Sequence, residues 1–259
     1  MAQQIFYKYQ GTGNDFIMID NRKKNFNKNN ASYIKRLCDR RFGIGADGLI
    51  LLEDHENYDF RMVYYNADGN ESSMCGNGGR CLVAFAKQCG IVKNNAIFEA
   101  IDGIHHAIIE GDLIKLKMID VNEVEVHKNH VFLNTGSPHH VQFEDHIDTF
   151  DIKSKGASIR YGELYGDTGA NVNFVKKITE NTFKIRTYER GVEDETLSCG
   201  TGATAVALAM HHMDQTQANK VTLQVEGGDL QVSFHQNKNG EYTDIWLIGP
   251  ACFVYEGHI

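Results

Sequence analysis

Short segments in which apolar and polar residues alternate recur along the whole chain. Ile5–Tyr9, Asp15–Asp20, Leu49–Glu53, Phe60–Tyr65, His106–Glu110, Leu113–Met118, Phe183–Tyr188, Val221–Val225, Leu230–Phe234 and Asp244–Ile248 have the period of half-buried strands. Glu110-Gly111-Asp112, Gly227-Gly228-Asp229 and Asn239-Gly240 stand between such segments as turn signals. They predict hairpins and a mostly antiparallel sheet. Three stretches read as helix. Asn30 caps Ala31–Arg41, with Ile34, Leu37 and Cys38 on one face. Leu82–Cys89, stopped by Gly90, and Ala203–Met213 are apolar on nearly every side, as buried helices are. The pattern predicts an α+β fold of two units, each a mostly antiparallel, barrel-like sheet around a central apolar helix.

The two apolar helices are announced by nearly the same words. One follows Met74-Cys75-Gly76-Asn77-Gly78-Gly79-Arg80, the other Ser198-Cys199-Gly200-Thr201-Gly202-Ala203-Thr204. Each stretch lies after an aromatic-ended strand and a polar turn, Tyr65-Asn66-Ala67-Asp68-Gly69 and Tyr188-Glu189-Arg190-Gly191. The separation, 199 − 75 = 124 residues, is close to half of 259. A repeat at that period predicts gene duplication into two pseudo-symmetric domains.

Composition narrows the function classes. With 42% hydrophobic and 23% charged residues the chain is an ordinary globular mixture, far from disorder. Its formal charge, 26 − 34 = −8, disfavours nucleic acid and anionic membranes as partners. No apolar run approaches the roughly 20 residues of a membrane span. The start, Met1-Ala2-Gln3-Gln4-Ile5-Phe6-Tyr7-Lys8, lacks a signal-peptide pattern, and a cytoplasmic protein is expected. The six cysteines form no CxxC pair, so zinc-knuckle and thioredoxin readings lack their spacing.

Placement gives two of those cysteines a chemistry. A cysteine just before a helix start meets unpaired backbone N–H groups and the positive end of the helix dipole, and both favour thiolate. The same N–H groups can hold a carboxylate. Cys75 and Cys199, one per half, suggest thiols acting on opposite faces of one carbon, one as general base and one as general acid. Inversion at a carbon beside a carboxylate needs that arrangement. A redox disulfide between them is the rival reading. Cys38, Cys81, Cys89 and Cys252 read as buried small apolar residues. Gly43-Ile44-Gly45-Ala46-Asp47-Gly48 matches GxGxxG but precedes a strand, so the dinucleotide mechanism fails. His105-His106, His139-His140 and His211-His212 are adjacent pairs that cannot share one face, and no metal is expected.

Gly11-Thr12-Gly13-Asn14-Asp15-Phe16, Asn66-Ala67-Asp68-Gly69, Cys75 through Cys81, Tyr188-Glu189-Arg190-Gly191 and Cys199-Gly200-Thr201-Gly202 together resemble the diaminopimelate epimerase family. The likeness runs in order from Phe6 to about Gly257. It implies a cofactor-independent isomerase that interconverts LL- and meso-2,6-diaminopimelate, on the route to lysine and peptidoglycan. It implies two similar domains, 1–119 joined by the tail 250–259 and 120–249, with a homodimer as the expected assembly. It implies a thiol–thiolate pair of Cys75 and Cys199. By position, Gly76, Asn77, Gly200 and Thr201 would hold the reacting carboxylate and ammonium, and Asn14, Asn66, Asn171, Glu189 and Arg190 would complete the substrate site. Arg190 suits a distal carboxylate, and His139 and Glu189 would tune a cysteine.

The chain departs from the family pattern in three places. Ser137 stands where Gly-Asn-Pro-His is usual, Gly48 where many members carry Gln, and Val192–Thr196 is one residue longer. Competing readings are a paired-cysteine racemase of the proline type, a phenazine-type isomerase and a thiol redox or binding module. Exchange of a substrate α-hydrogen with solvent separates the two-thiol epimerase from the redox module.

Overall fold

The computed structural model describes residues 4–259; Met1–Gln3, which belong to the segment read for a leader, lie outside the described residues. The chain divides into two compact units. One comprises the residues up to 116 with 249–259, the other 117–248. In chain order the first holds β1 (Ile5–Gly11), β2 (Asn14–Asp20), α1 (Ala31–Cys38), β3 (Gly48–Glu53), β4 (Phe60–Asn66), β5 (Glu71–Ser72), α2 (Gly76–Gln88), β6 (Asn95–Ala100), β7 (Gly103–Glu110) and β8 (Leu113–Lys117). The second holds β9 (Glu125–Val126), β10 (Val131–Asn134), β11 (Pro138–Phe143), α3 (Ile152–Arg160), β12 (Asn171–Lys177), β13 (Thr182–Glu189), β14 (Asp194–Thr196), α4 (Gly200–His212), β15 (Lys220–Val225), β16 (Gly228–Gln236) and β17 (Tyr242–Pro250). The chain then returns to the first unit as β18 (Cys252–His258).

The strands of the first unit neighbour one another in the order β18, β1, β2, β3, β4, β6, β7, β8, with β5 beside β4. Those of the second run β9, β10, β11, β12, β13, β15, β16, β17, with β14 beside β13. The parallel pairs fall at the same places: β2–β3 and β4–β6 in one unit, β11–β12 and β13–β15 in the other. A parallel pair needs a long crossover. Helices fill these, α1 and α3 at the first crossover, α2 and α4 at the second. One element order is therefore written twice.

Each apolar helix lies in its unit's largest core. Cys81, Leu82, Val83, Phe85 and Ala86 of α2 are buried among Phe16, Phe60 and Phe98. Ala203 and the run Ala205–Met210 of α4 are buried among Phe183, Leu223 and Leu247. Both helices start earlier than their apolar stretches suggest, because glycine and polar residues form the first turn. Conversely, α1 ends at Cys38 rather than Arg41. Asp39 turns extended there, and the Gly43, Ile44 and Gly45 N–H groups take the carbonyls of Asp39 and Leu37. The GxGxxG segment thus spends its first N–H groups closing α1.

One expectation is corrected. Cys252 is exposed and Cys89 half-buried, rather than core residues. Cys252 opens β18, a strand that among the described residues pairs with β1 and is exposed along most of its length.

Candidate active site

In the first unit β4 delivers the chain to a tight turn at Asn66, where the Asn66 N–H meets the Asn70 carbonyl at 3.0 Å. After β5, Cys75 takes an extended conformation (φ −96°, ψ 131°) as N-cap of α2, half-buried against the core. Gly76 and Asn77 form the first turn of α2. The Asn77 amide donates to Asn14 Oδ1 at 2.5 Å, and Asn14 Nδ2 donates to Asp47 Oδ2 at 2.8 Å. Arg40 anchors Asp47 at 2.7 Å. Asn14, the first residue of β2, and Asn77 on α2 are thereby oriented together.

Arg80 lies beneath them, fully buried. Helical side chains lean toward the N-terminus, and the guanidinium reaches the Gly76 carbonyl (3.4 Å), Asn77 Oδ1 (3.0 Å), Thr12 Oγ1 (3.3 Å) and the Pro250 carbonyl (3.5 Å). All four acceptors are neutral. Burial pulls the guanidinium below its ordinary pKa, while the Cys81 and Cys75 thiols hold it up. Burial pushes the Cys81 thiol far up, so Cys81 stays protonated. Gly48 is dictated by packing: a Cβ there would stand 2.5 Å from the Tyr64 ring and from the Tyr65 carbonyl.

In the second unit Cys199 caps α4 in the same extended manner (φ −121°, ψ 112°), and the Gly202 N–H points at its sulfur, 3.4 Å away. Residue 202 must be glycine, because a Cβ would stand 2.5 Å from Asn173 Oδ1. Thr201 Oγ1 is 3.5 Å from the same sulfur and 3.3 Å from Ser137 Oγ. Ser137 Oγ in turn lies 3.0 Å from His139 Nε2 and 3.0 Å from Asn171 Nδ2. His139 has no exposed surface, and burial, aided by Arg190, lowers its pKa to about 3. Gly200 opens α4 and accepts the Thr204 hydroxyl at 3.0 Å. Glu189 ends β13 and accepts the Thr196 hydroxyl at 2.9 Å. Arg190 gives its backbone N–H to Asn171 Oδ1 at 2.8 Å and its guanidinium to the Thr168 carbonyl at 3.0 Å.

The residues named from the sequence thus fall into two clusters, each at the start of one apolar helix. In the first are Asn14, Cys75, Gly76 and Asn77, while Asn66 stands at the end of β4 opposite Gly48. In the second are His139, Asn171, Glu189, Arg190, Cys199, Gly200 and Thr201. The sequence reading missed Asp47, Arg80 and Asn173. Asn173 carried a signal: it lies two residues after Asn171 on one strand, hence on the same face. Arg80 carried one too, as a cation inside an apolar helix.

The fold recurs in solved structures. A phenazine biosynthesis protein of the PhzF family from Bacillus anthracis superposes with TM-score 0.81 at 13% identity, covering 100% of this chain and 99% of that one. A hydroxyproline epimerase from Agrobacterium vitis gives 0.70 at 12%, covering 100% and 91%. The family model described as diaminopimelate epimerase matches residues 6–122 and 131–254. A diaminopimelate epimerase of Flavobacterium psychrophilum is 64% identical over 96% of this chain and 98% of its own length. One from Chlorobaculum tepidum is 42% identical over 96% and 98%. The chain is an isomerase with two helix-capping cysteines. It belongs to the diaminopimelate epimerase family.

Proposed function

We propose that the chain interconverts LL- and meso-2,6-diaminopimelate without a cofactor, by proton transfer between the α-carbon and the pair Cys75 and Cys199. One sulfur, as thiolate, takes the α-proton, and the C–H electron pair is left on a carbanion beside the carboxylate. The other, as thiol, returns a proton to the opposite face and becomes the thiolate. Asn14, Asn66, Asn77 and Asn171, with the N–H groups at Gly76, Gly200 and Thr201, would bind the two amino-acid ends. Glu189 and Arg190 would fix the distal one. The observation that carries this reading is the repetition of a cysteine N-cap before a buried helix in two units of one element order. That order also supports a duplicated pair of domains, 1–119 with 250–259 and 120–249. We further propose a cytoplasmic homodimer.

The test is epimerisation in D₂O with reductant present. Wild type should place one deuterium on the α-carbon for each inversion, and dialysis against chelator should leave the rate unchanged. Cys75→Ser and Cys199→Ser should each lose about 10²–10⁴-fold, the usual worth of a positioned acid or base. Full activity in either variant overturns the two-thiol reading. So does a thiol redox activity without α-exchange.

A further inference from the structure

The directions of the hydrogen bonds around Cys199 can be assigned one by one. Asn173 Oδ1 accepts the Thr187 hydroxyl at 3.0 Å, and its Nδ2 donates to the His140 carbonyl at 3.0 Å. The second Nδ2 proton therefore meets His139 Nδ1, also at 3.0 Å. A ring nitrogen that accepts carries no proton, so neutral His139 has its N–H at Nε2. That N–H faces Ser137 Oγ at 3.0 Å. Asn171 is fixed likewise: its Oδ1 accepts the Arg190 N–H, so its Nδ2 donates to Ser137 Oγ. Ser137 Oγ accepts twice. Its own proton is left for Thr201 Oγ1, and the Thr201 proton is left for Cys199 Sγ.

We propose that Ser137 is a positioning residue of the reaction, turning the Thr201 hydroxyl onto Cys199 so that this sulfur is served by donors. The proposal rests on the two-thiol reading above. When Cys199 releases its S–H proton to the α-carbon, the bond's electron pair stays on sulfur. The Thr201 hydroxyl and the Gly202 N–H are already aimed at the charge that appears. Groups preset toward developing charge need no reorganisation at the moment of reaction. In the thiol form both neighbours still donate, so the S–H proton is turned away from them. In the first unit the residue at the place of Thr201 is Asn77, whose amide donates to Asn14. Of the ionisable groups, His139 on β11 meets the hydroxyl chain at Ser137 and feels the charge of Arg190 at the end of β13, while the His140 ring points the other way, at Tyr165 and Gln142, and Glu189 accepts from Thr196. β12 contributes neutral Asn171 and Asn173, and α4 carries no ionisable side chain before His211.

The test is the pH dependence of iodoacetamide labelling in the full-length reduced protein. Peptide mass spectrometry reads Cys199, with Cys75 as internal control. In Ser137→Ala and in Thr201→Val the Cys199 midpoint should rise by about one pH unit, or about tenfold slower labelling below it, while Cys75 is unmoved. Ser137→Thr, which keeps the hydroxyl, should restore the wild-type midpoint. An unmoved Cys199 midpoint in both variants overturns the proposal, as does an equal shift of Cys75, which would mark a general loosening. Epimerisation is followed in parallel. A wild type that labels as expected but does not epimerise refutes the function and leaves the hydroxyl chain standing. An epimerising wild type with unmoved midpoints in the variants refutes the hydroxyl chain alone.

Discussion

Arg80 carries its charge into the buried interior and, among the described residues, gives its hydrogen bonds to neutral oxygens. Buried charges are costly unless a counter-charge answers them. Replacing Arg80 by Met removes the charge at similar length. The Cys75 labelling midpoint should then rise while that of Cys199 stays, read by the same mass-spectrometric titration. His139 makes a different prediction. Its folded pKa is about 3 against an ordinary 6.5, and that of His140 about 4, both through burial. The unfolded chain therefore binds protons that the folded chain refuses between those values. The stability these histidines supply is full above pH 6.5 and is lost as pH falls toward 3–4. The urea midpoint should decline across that window, and His139→Gln should flatten the decline. The sequence exposed the cysteines because they repeat, but not the amide of Asn173 or the orientation of Ser137. Those depend on strands brought together from 33 or more residues apart.

At the scale of elements, every strand announced by alternation is present. β6, β10 and β11 are not among those announced, although β6 and β10 alternate in burial, while other strands without the signal have physical reasons. β5, β9 and β14 are two or three residues long, too short to show a period. β12 is buried on both faces over its first five residues, which erases alternation. α3 has only Ile152 and Gly156 buried, so its apolar stripe is faint. In β18 the apolar run reads as core yet lies on the surface, with Phe253 46%, Val254 52% and Tyr255 42% exposed, beside Ile5 at 42%. An apolar edge strand invites pairing with another chain, and the proposed homodimer would use it. Val254→Lys with Tyr255→Lys should convert dimer to monomer in sedimentation velocity; a wild-type monomer would reject that assembly. α1 offers a simpler test. Asn30 Oδ1 accepts the Tyr33 N–H at 3.0 Å, and Asn30→Ala should lower stability by about 1 kcal/mol in denaturant titration.

At the scale of the molecule, the doubled element order was legible only as two similar phrases around Cys75 and Cys199. The crossovers that enforce it became visible once α1 and α3 stood in matching places. The units differ in how they are closed. The second is one continuous stretch, whereas the first takes its outermost strand, β18, from the far end of the chain, with six residues of β1 paired to it. Truncation after Pro250 should therefore loosen the first unit selectively. Buried Cys81 should react with a thiol probe at lower urea, while fluorescence of Trp246, the chain's single tryptophan, keeps its midpoint. The same closure sets a timetable for biosynthesis. Between Gly11 and Cys252 the ribosome adds 252 − 11 = 241 residues, roughly 12–50 s of synthesis at about 5–20 residues per second. For that time the outer edge of β1 has nothing to zip onto, while residues 117–248 emerge as an uninterrupted run. The half that begins to emerge first is the last to be sealed.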